Sequence, residues 1–172
     1  MLEALIFVVF PFCMLFAAIS DMLSMTIANR VPLLLVGTFL AVAPLTGMDW
    51  TTLGLHLAAG ALVLVATFGL FAIGGMGGGD AKLMAATAVW MGLSISLAQY
   101  LVASAFFGGM LTLAILAFRS SALAVYTSRN MFLRHFANQA GGIPYGIALG
   151  IGGLMTYPDT QLMQWALARL TS

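Results

Sequence analysis

The chain alternates long apolar runs with short polar breaks, and six of the runs approach the roughly 20 residues that a membrane-crossing helix needs. Leu2 to Ile19 is the first. Val31 to Met48 is the second, with Pro32 at its start, where the missing N–H breaks no helical bond. Leu53 to Ile73 is the third. Lys82 to about Gly92 opens the fourth, which is short unless it continues towards Leu97. The stretch from Met91 to Ser96 then has to hold a tight turn before the fifth run, Gln99 to Phe118. Ile143 to Tyr157 is the sixth, rich in glycine and so able to pack closely on a neighbour. The tail from Asp159 to Leu170 has another pattern. Leu162, Met163, Ala166, Leu167 and Leu170 recur at helical spacing, with Gln161, Gln164 and Ala168 opposite. That predicts a short interfacial helix with Trp165 near the headgroups, the alternative being a frayed end of the sixth run. Together these elements predict an all-α polytopic membrane protein with about six transmembrane helices, in one domain covering residues 1–172.

Composition agrees: 62% of the residues are hydrophobic and 6% charged, against about 25% charged in a soluble domain. Six basic residues, widely spread, are too few for a phosphate-binding face, so nucleic acid is not an expected partner. Cys13 is the only cysteine, which excludes an intrachain disulfide and a cysteine-rich zinc site. The first run does not read as a cleaved signal peptide, having Glu3 in place of a basic segment and no small-x-small pattern before Asp21. With six spans, Arg30, Lys82, Arg119, Arg129 and Arg134 fall on one side, and Glu3, Asp49, Asp159 and Arg169 on the other. The basic side is then the cytoplasm, with both termini opposite. Residues 119–139 form the longest polar stretch, a basic loop suited to anionic lipid.

Two of the five acidic residues stand at run edges on that basic side. Asp21 follows Ala17-Ala18-Ile19-Ser20, and Asp80 sits within Gly74-Gly75-Met76-Gly77-Gly78-Gly79-Asp80-Ala81-Lys82. A carboxylate at a bilayer edge is costly to desolvate, and such residues tend to mark sites. Glycines allow positive φ and close approach of another chain, so Asp80 suits a helix start facing a cleft that an extended peptide enters. Its plainer role, compatible with that one, is a helix N-cap. The plainer role of Asp21 is a solvated charge that ends the first run. On one face the two fit a carboxyl pair: close carboxylates cannot both ionise cheaply, so one keeps its proton. One then acts as base on a water while the other donates to the scissile carbonyl oxygen. Such hydrolysis uses no metal, no cofactor and no covalent intermediate. His56, near the outer end of the third run, reads as an interface histidine, and His135, beside Arg134, as a solvated one. No histidine is placed beside Ser20. No HExxH is present, and residues 74–79 lack the Gly-Lys-Ser/Thr ending of a phosphate loop. The twelve methionines read as packing filler.

Three segments together resemble the type IV prepilin peptidases, the GxGD aspartic proteases of membranes, in the short form associated with tight-adherence (Flp-type) pili. They are Asp21-Met22-Leu23-Ser24-Met25-Thr26-Ile27-Ala28-Asn29-Arg30, Gly77-Gly78-Gly79-Asp80-Ala81-Lys82-Leu83 and Gly142-Ile143-Pro144-Tyr145-Gly146-Ile147-Ala148. Where the family usually has Ile-Pro-Asn, this chain has Ile27-Ala28-Asn29, a departure in a turn rather than in the acids. The resemblance implies that Asp21 and Asp80 are the catalytic pair, with Gly77, Gly79, Lys82, Asn29, Pro144 and Tyr145 framing the site. It also implies a prepilin substrate with a short basic leader and a hydrophobic helix, cut at the cytoplasmic face of a bacterial inner membrane. Longer family members carry a cytosolic region between the first two spans that is linked to N-methylation and often bears paired cysteines. Here Ser20 to Arg30 fills that place, so no methyltransferase activity is expected. Two other classes compete: a small transporter or channel that moves protons or cations through the edge aspartates, and a structural subunit without chemistry.

Overall fold

The structure, a computed structural model, describes residues 1–121 and 142–171. Among these residues the secondary structure is helical throughout. Helices α1 (Leu2–Ser24), α2 (Arg30–Val42), α3 (Trp50–Ala72), α4 (Gly78–Met91) and α5 (Ile95–Arg119) precede residues 122–141, and α6 (Gly146–Thr156) and α7 (Gln161–Thr171) follow them. Arg129, Arg134 and His135 lie outside the described residues. Three helices, α1, α3 and α5, are long and apolar enough to cross a membrane.

Local chemistry sets the boundaries. α1 runs five residues past the apolar run and so carries Asp21; Met25, in the left-handed region at φ 53°, closes it with its N–H on the Asp21 carbonyl. α2 ends at Val42 rather than reaching Met48. Pro44 opens a 3₁₀ turn over Pro44–Thr46, and Gly47 at φ 85° redirects the chain. Asp49 caps α3, accepting from the Thr52 N–H at 2.9 Å and the Thr52 hydroxyl at 2.7 Å. The tight turn expected between the fourth and fifth runs is Gly92-Leu93-Ser94, with Gly92 at φ 67° and Ser94 capping α5. α6 starts at Gly146 rather than Ile143, behind a buried Pro144. A 3₁₀ turn over Tyr157–Asp159 separates α6 from α7, so the tail is a helix of its own and not a frayed end. Its apolar stripe divides: Leu162 and Ala166 are buried in the core and Leu170 is exposed. Trp165 is half-buried against that core, with the Arg169 guanidinium 5.0 Å from its ring centre.

α4 occupies the centre. Ala81 and every residue from Leu83 to Met91 are buried, and α2, α3, α5 and α6 all pack on it. A helix apolar on all sides belongs in the interior, where 14 residues suffice because neighbouring helices, not lipid, surround it. Trp90 anchors the core. Its indole N–H donates to the Leu35 carbonyl at 3.0 Å, and Phe10, Phe39 and Tyr157 surround its ring. His56 belongs to this core and not to an interface. It is buried, its Nδ1 donates to the Val89 carbonyl at 2.7 Å, and its ring lies against Phe39 and over Gly92.

Glycine sets the spacing of α5 and α6. A Cβ on Gly152 would lie 2.5 Å from the Ser104 hydroxyl oxygen and 3.0 Å from the Ser104 backbone nitrogen. The backbone cannot retreat without parting the helices. Gly152→Ala should therefore destabilise the fold by about 1–3 kcal/mol, as overpacking does. Thermal unfolding in detergent reads this directly, and an unchanged midpoint would refute the close approach.

Candidate functional site

The Asp21 side chain comes from the last turns of α1 and is 5% exposed. Its Oδ2 accepts the Gly146 N–H at 2.7 Å. Gly146 is the first residue of α6, where the backbone N–H groups lack helical partners and carry partial positive charge. The carboxylate is thus oriented by a helix that begins 125 residues later in the chain. The space for it is small: a Cβ on Gly146 would sit 2.8 Å from the Asp21 Cβ and 3.0 Å from its Oδ2.

Asp80 lies in the first turn of α4 and is half-buried. It is not the N-cap; Gly77 holds that position, and Asp80 comes three residues later. Its carboxylate folds back over Gly77, where a Cβ would meet Oδ2 at 2.7 Å. Gly79 permits a second close approach, because a Cβ there would be 3.2 Å from the Ile27 side chain and 3.4 Å from the Ile27 nitrogen. The loop between α1 and α2 therefore rests on the start of α4. That loop is tied internally: the Ser20 hydroxyl donates to the Thr26 carbonyl at 2.9 Å, and Ser24 Oγ lies 2.8 Å from Thr26 Oγ1. Ser20 is thereby occupied in a turn.

Asp21 and Asp80 face the same space. Both line a cavity of about 300 Å³, together with Met25, Ile27, Gly78 and Gly79. Both also line an adjoining cleft of about 740 Å³ that reaches Gly74, Arg119, Ile143 and Tyr145. Neither aspartate forms an ion pair among the described residues. Lys82 turns away from Asp80, its ammonium donating to Asn29 Oδ1 at 3.1 Å and so joining the end of the first loop to α4. Tyr145 lies over Gly108 of α5, where any Cβ would overlap its ring. Arg119 donates to the Gly142 carbonyl at 3.0 Å, tying the end of α5 to the segment before α6. Asp21, Asp80 and Gly77 thus line both pockets, Gly79 the smaller and Tyr145 the larger, while Asn29 and Lys82 join the loop beside them to α4 and Pro144 lies in the turn before α6. Gly146 had gone unmarked as a partner of Asp21. Its trace in the sequence is its place in the third of the resembling segments, behind a proline and an aromatic residue at the start of an apolar run.

Among the described residues no group of three or more His, Cys, Asp or Glu is placed to hold a metal ion. Two carboxylates on one small cavity, each lying against a glycine, have the donors for acid–base work on a water and a bound carbonyl. A family model described as the type IV leader peptidase family matches residues 8–126, a span that contains both aspartates and stops short of Gly142. No curated protein and no solved structure matches the chain.

Proposed function

We propose, for a chain that belongs to the type IV leader peptidase family, that Asp21 and Asp80 form its catalytic pair. The observation that carries the proposal is the shared cavity: two acids 59 positions apart in sequence (80 − 21) meet on one pocket, with no ion pair to either among the described residues. Close carboxylates hold one proton between them. The ionised one draws a proton from a water lying between them, and the protonated one donates to the oxygen of the scissile carbonyl. The resulting tetrahedral species collapses with transfer of the first proton to the leaving nitrogen. Gly77 gives the Asp80 carboxylate its room, and Gly79 lets Ile27 close on the start of α4 beside the cavity. Lys82 and Asn29 hold the loop that follows Asp21, and Pro144 and Tyr145 position the N-terminus of α6. The substrate is a prepilin of the Flp type, cut after a short basic leader, in one membrane-embedded domain without a methyltransferase region. The transporter reading is weaker, since the chain has five acidic residues and Asp21 and Asp80 share one end rather than forming a path.

The test is leader removal from an Flp-type prepilin by the purified protein in vesicles, read as a mobility shift. Processing should continue in the presence of a metal chelator and of serine- and cysteine-directed reagents. Inhibition by the chelator would point to a metallopeptidase instead.

The distribution of basic residues in the sequence supports a site at the cytoplasmic face of the inner membrane, with six spans and both termini opposite. In a Cys13-free background, a cysteine at Ser172 should react with a membrane-impermeant reagent from outside only. Labelling confined to the cytoplasmic side would reverse the topology.

A further inference from the structure

Two apolar grooves flank α2, and each ends in a cation. The first, about 400 Å³, runs between α2 and α3 over α4 and is lined by Leu33, Val36, Leu64 and Val89, with Asn29 and Lys82 at its end. The second, about 290 Å³, lies between α1 and α2, lined by Phe12, Phe16, Val31 and Leu34, with Arg30 at its end. Their walls are open: Leu33 is 71% exposed and Phe12 60%. Both cations are exposed, and neither has a carboxylate within 4 Å among the described residues. The Lys82 ammonium sits on Asn29, the residue before Arg30, so the two charges flank the N-terminal end of α2.

We propose that this end of α2 binds anionic phospholipid, a headgroup phosphate meeting Lys82 at the end of the first groove and Arg30 at the end of the second, with acyl chain lying in each groove. A slot that is apolar along its length and cationic at one end is complementary to a lipid with a negative headgroup, and basic pockets between membrane helices recognise such headgroups. Charge favours lipid over the proposed substrate: a cationic groove end attracts a negative headgroup and repels a basic leader. The grooves are separate from the cavity of Asp21 and Asp80, although Lys82 also holds the loop that follows Asp21.

The test is native mass spectrometry of the detergent-purified protein with equal amounts of phosphatidylglycerol and phosphatidylcholine of the same chains. The wild type should retain phosphatidylglycerol on the order of tenfold more, with about equal contributions from the two cations. Arg30→Gln combined with Lys82→Gln should bring the ratio near one, and about 1 M salt should do the same to the unmodified protein by screening. Leu33→Trp, on an exposed wall, should lower the amount of lipid retained while both charges stay. Equal retention of the two lipids by the wild type would overturn the site, as would a preference that survives both high salt and loss of the charges. A photo-crosslinker at position 33 that captures a co-expressed prepilin instead of lipid would also overturn it, by assigning the groove to a protein helix.

Discussion

Asp80→Asn and Asp21→Asn should each abolish leader removal, by about a thousandfold or more, because members of one catalytic unit fail together rather than additively. Asparagine keeps the size and one oxygen of the side chain but cannot take a proton from water or cycle between acid and base. The fold should tolerate both changes. Asp80 caps nothing through its side chain, and the amide oxygen of an asparagine at position 21 can still accept the Gly146 N–H. Expression, membrane insertion and thermal midpoint should therefore stay near wild type while a co-expressed prepilin keeps its leader. The double variant should be no worse than either single one. Normal processing by Asp80→Asn would eliminate the mechanism.

Gly146→Ala should reduce processing by roughly 10- to 100-fold without touching either acid, the loss expected when a catalytic group is displaced by about 1 Å. The added methyl would lie 2.8 Å from the Asp21 Cβ. Asp21 must move or α6 must step back, and either shifts one carboxylate relative to the other. The loss should appear in kcat, because the cleft that receives the peptide is otherwise intact. Gly109→Ala on α5 is the control, since a Cβ there meets nothing within 4 Å. Equal activity of the two variants would show that the contact between Gly146 and Asp21 does not position the acid.

The parts of this molecule legible in its sequence are those with one-dimensional signals. Apolar length marks α1, α3 and α5, and glycine marks the turn at Gly92 and the flexible entry to α4. Charge rarity marks Asp21 and Asp80 in the sequence. Features that depend on what lies across the bundle were not legible. α4 is buried on nearly every side, so it lacks the periodicity that distinguishes a core face, and its central place emerges only from its neighbours. His56 looked like a residue at a membrane edge because its partners, Val89 and Phe39, come from other helices. Lys82 stands two residues from Asp80 in the sequence, yet its side chain reaches Asn29, 53 positions away. α2 fell short of its apolar run because Pro44 and Gly47 act on backbone geometry, to which hydrophobicity is blind.

The hydrogen bond between Gly146 and Asp21 joins positions 125 apart, and this gives the molecule a timetable. Both aspartates emerge from the ribosome and enter the bilayer well before α6 has been made. Until then Asp21 lacks the backbone donor that fixes its carboxylate. On the proposed assignment of Asp21 and Asp80, competence arrives when α6 slots in beside α1 and α5, so the growing polypeptide passes through the insertion machinery with that centre unassembled until residues 146–156 are in place.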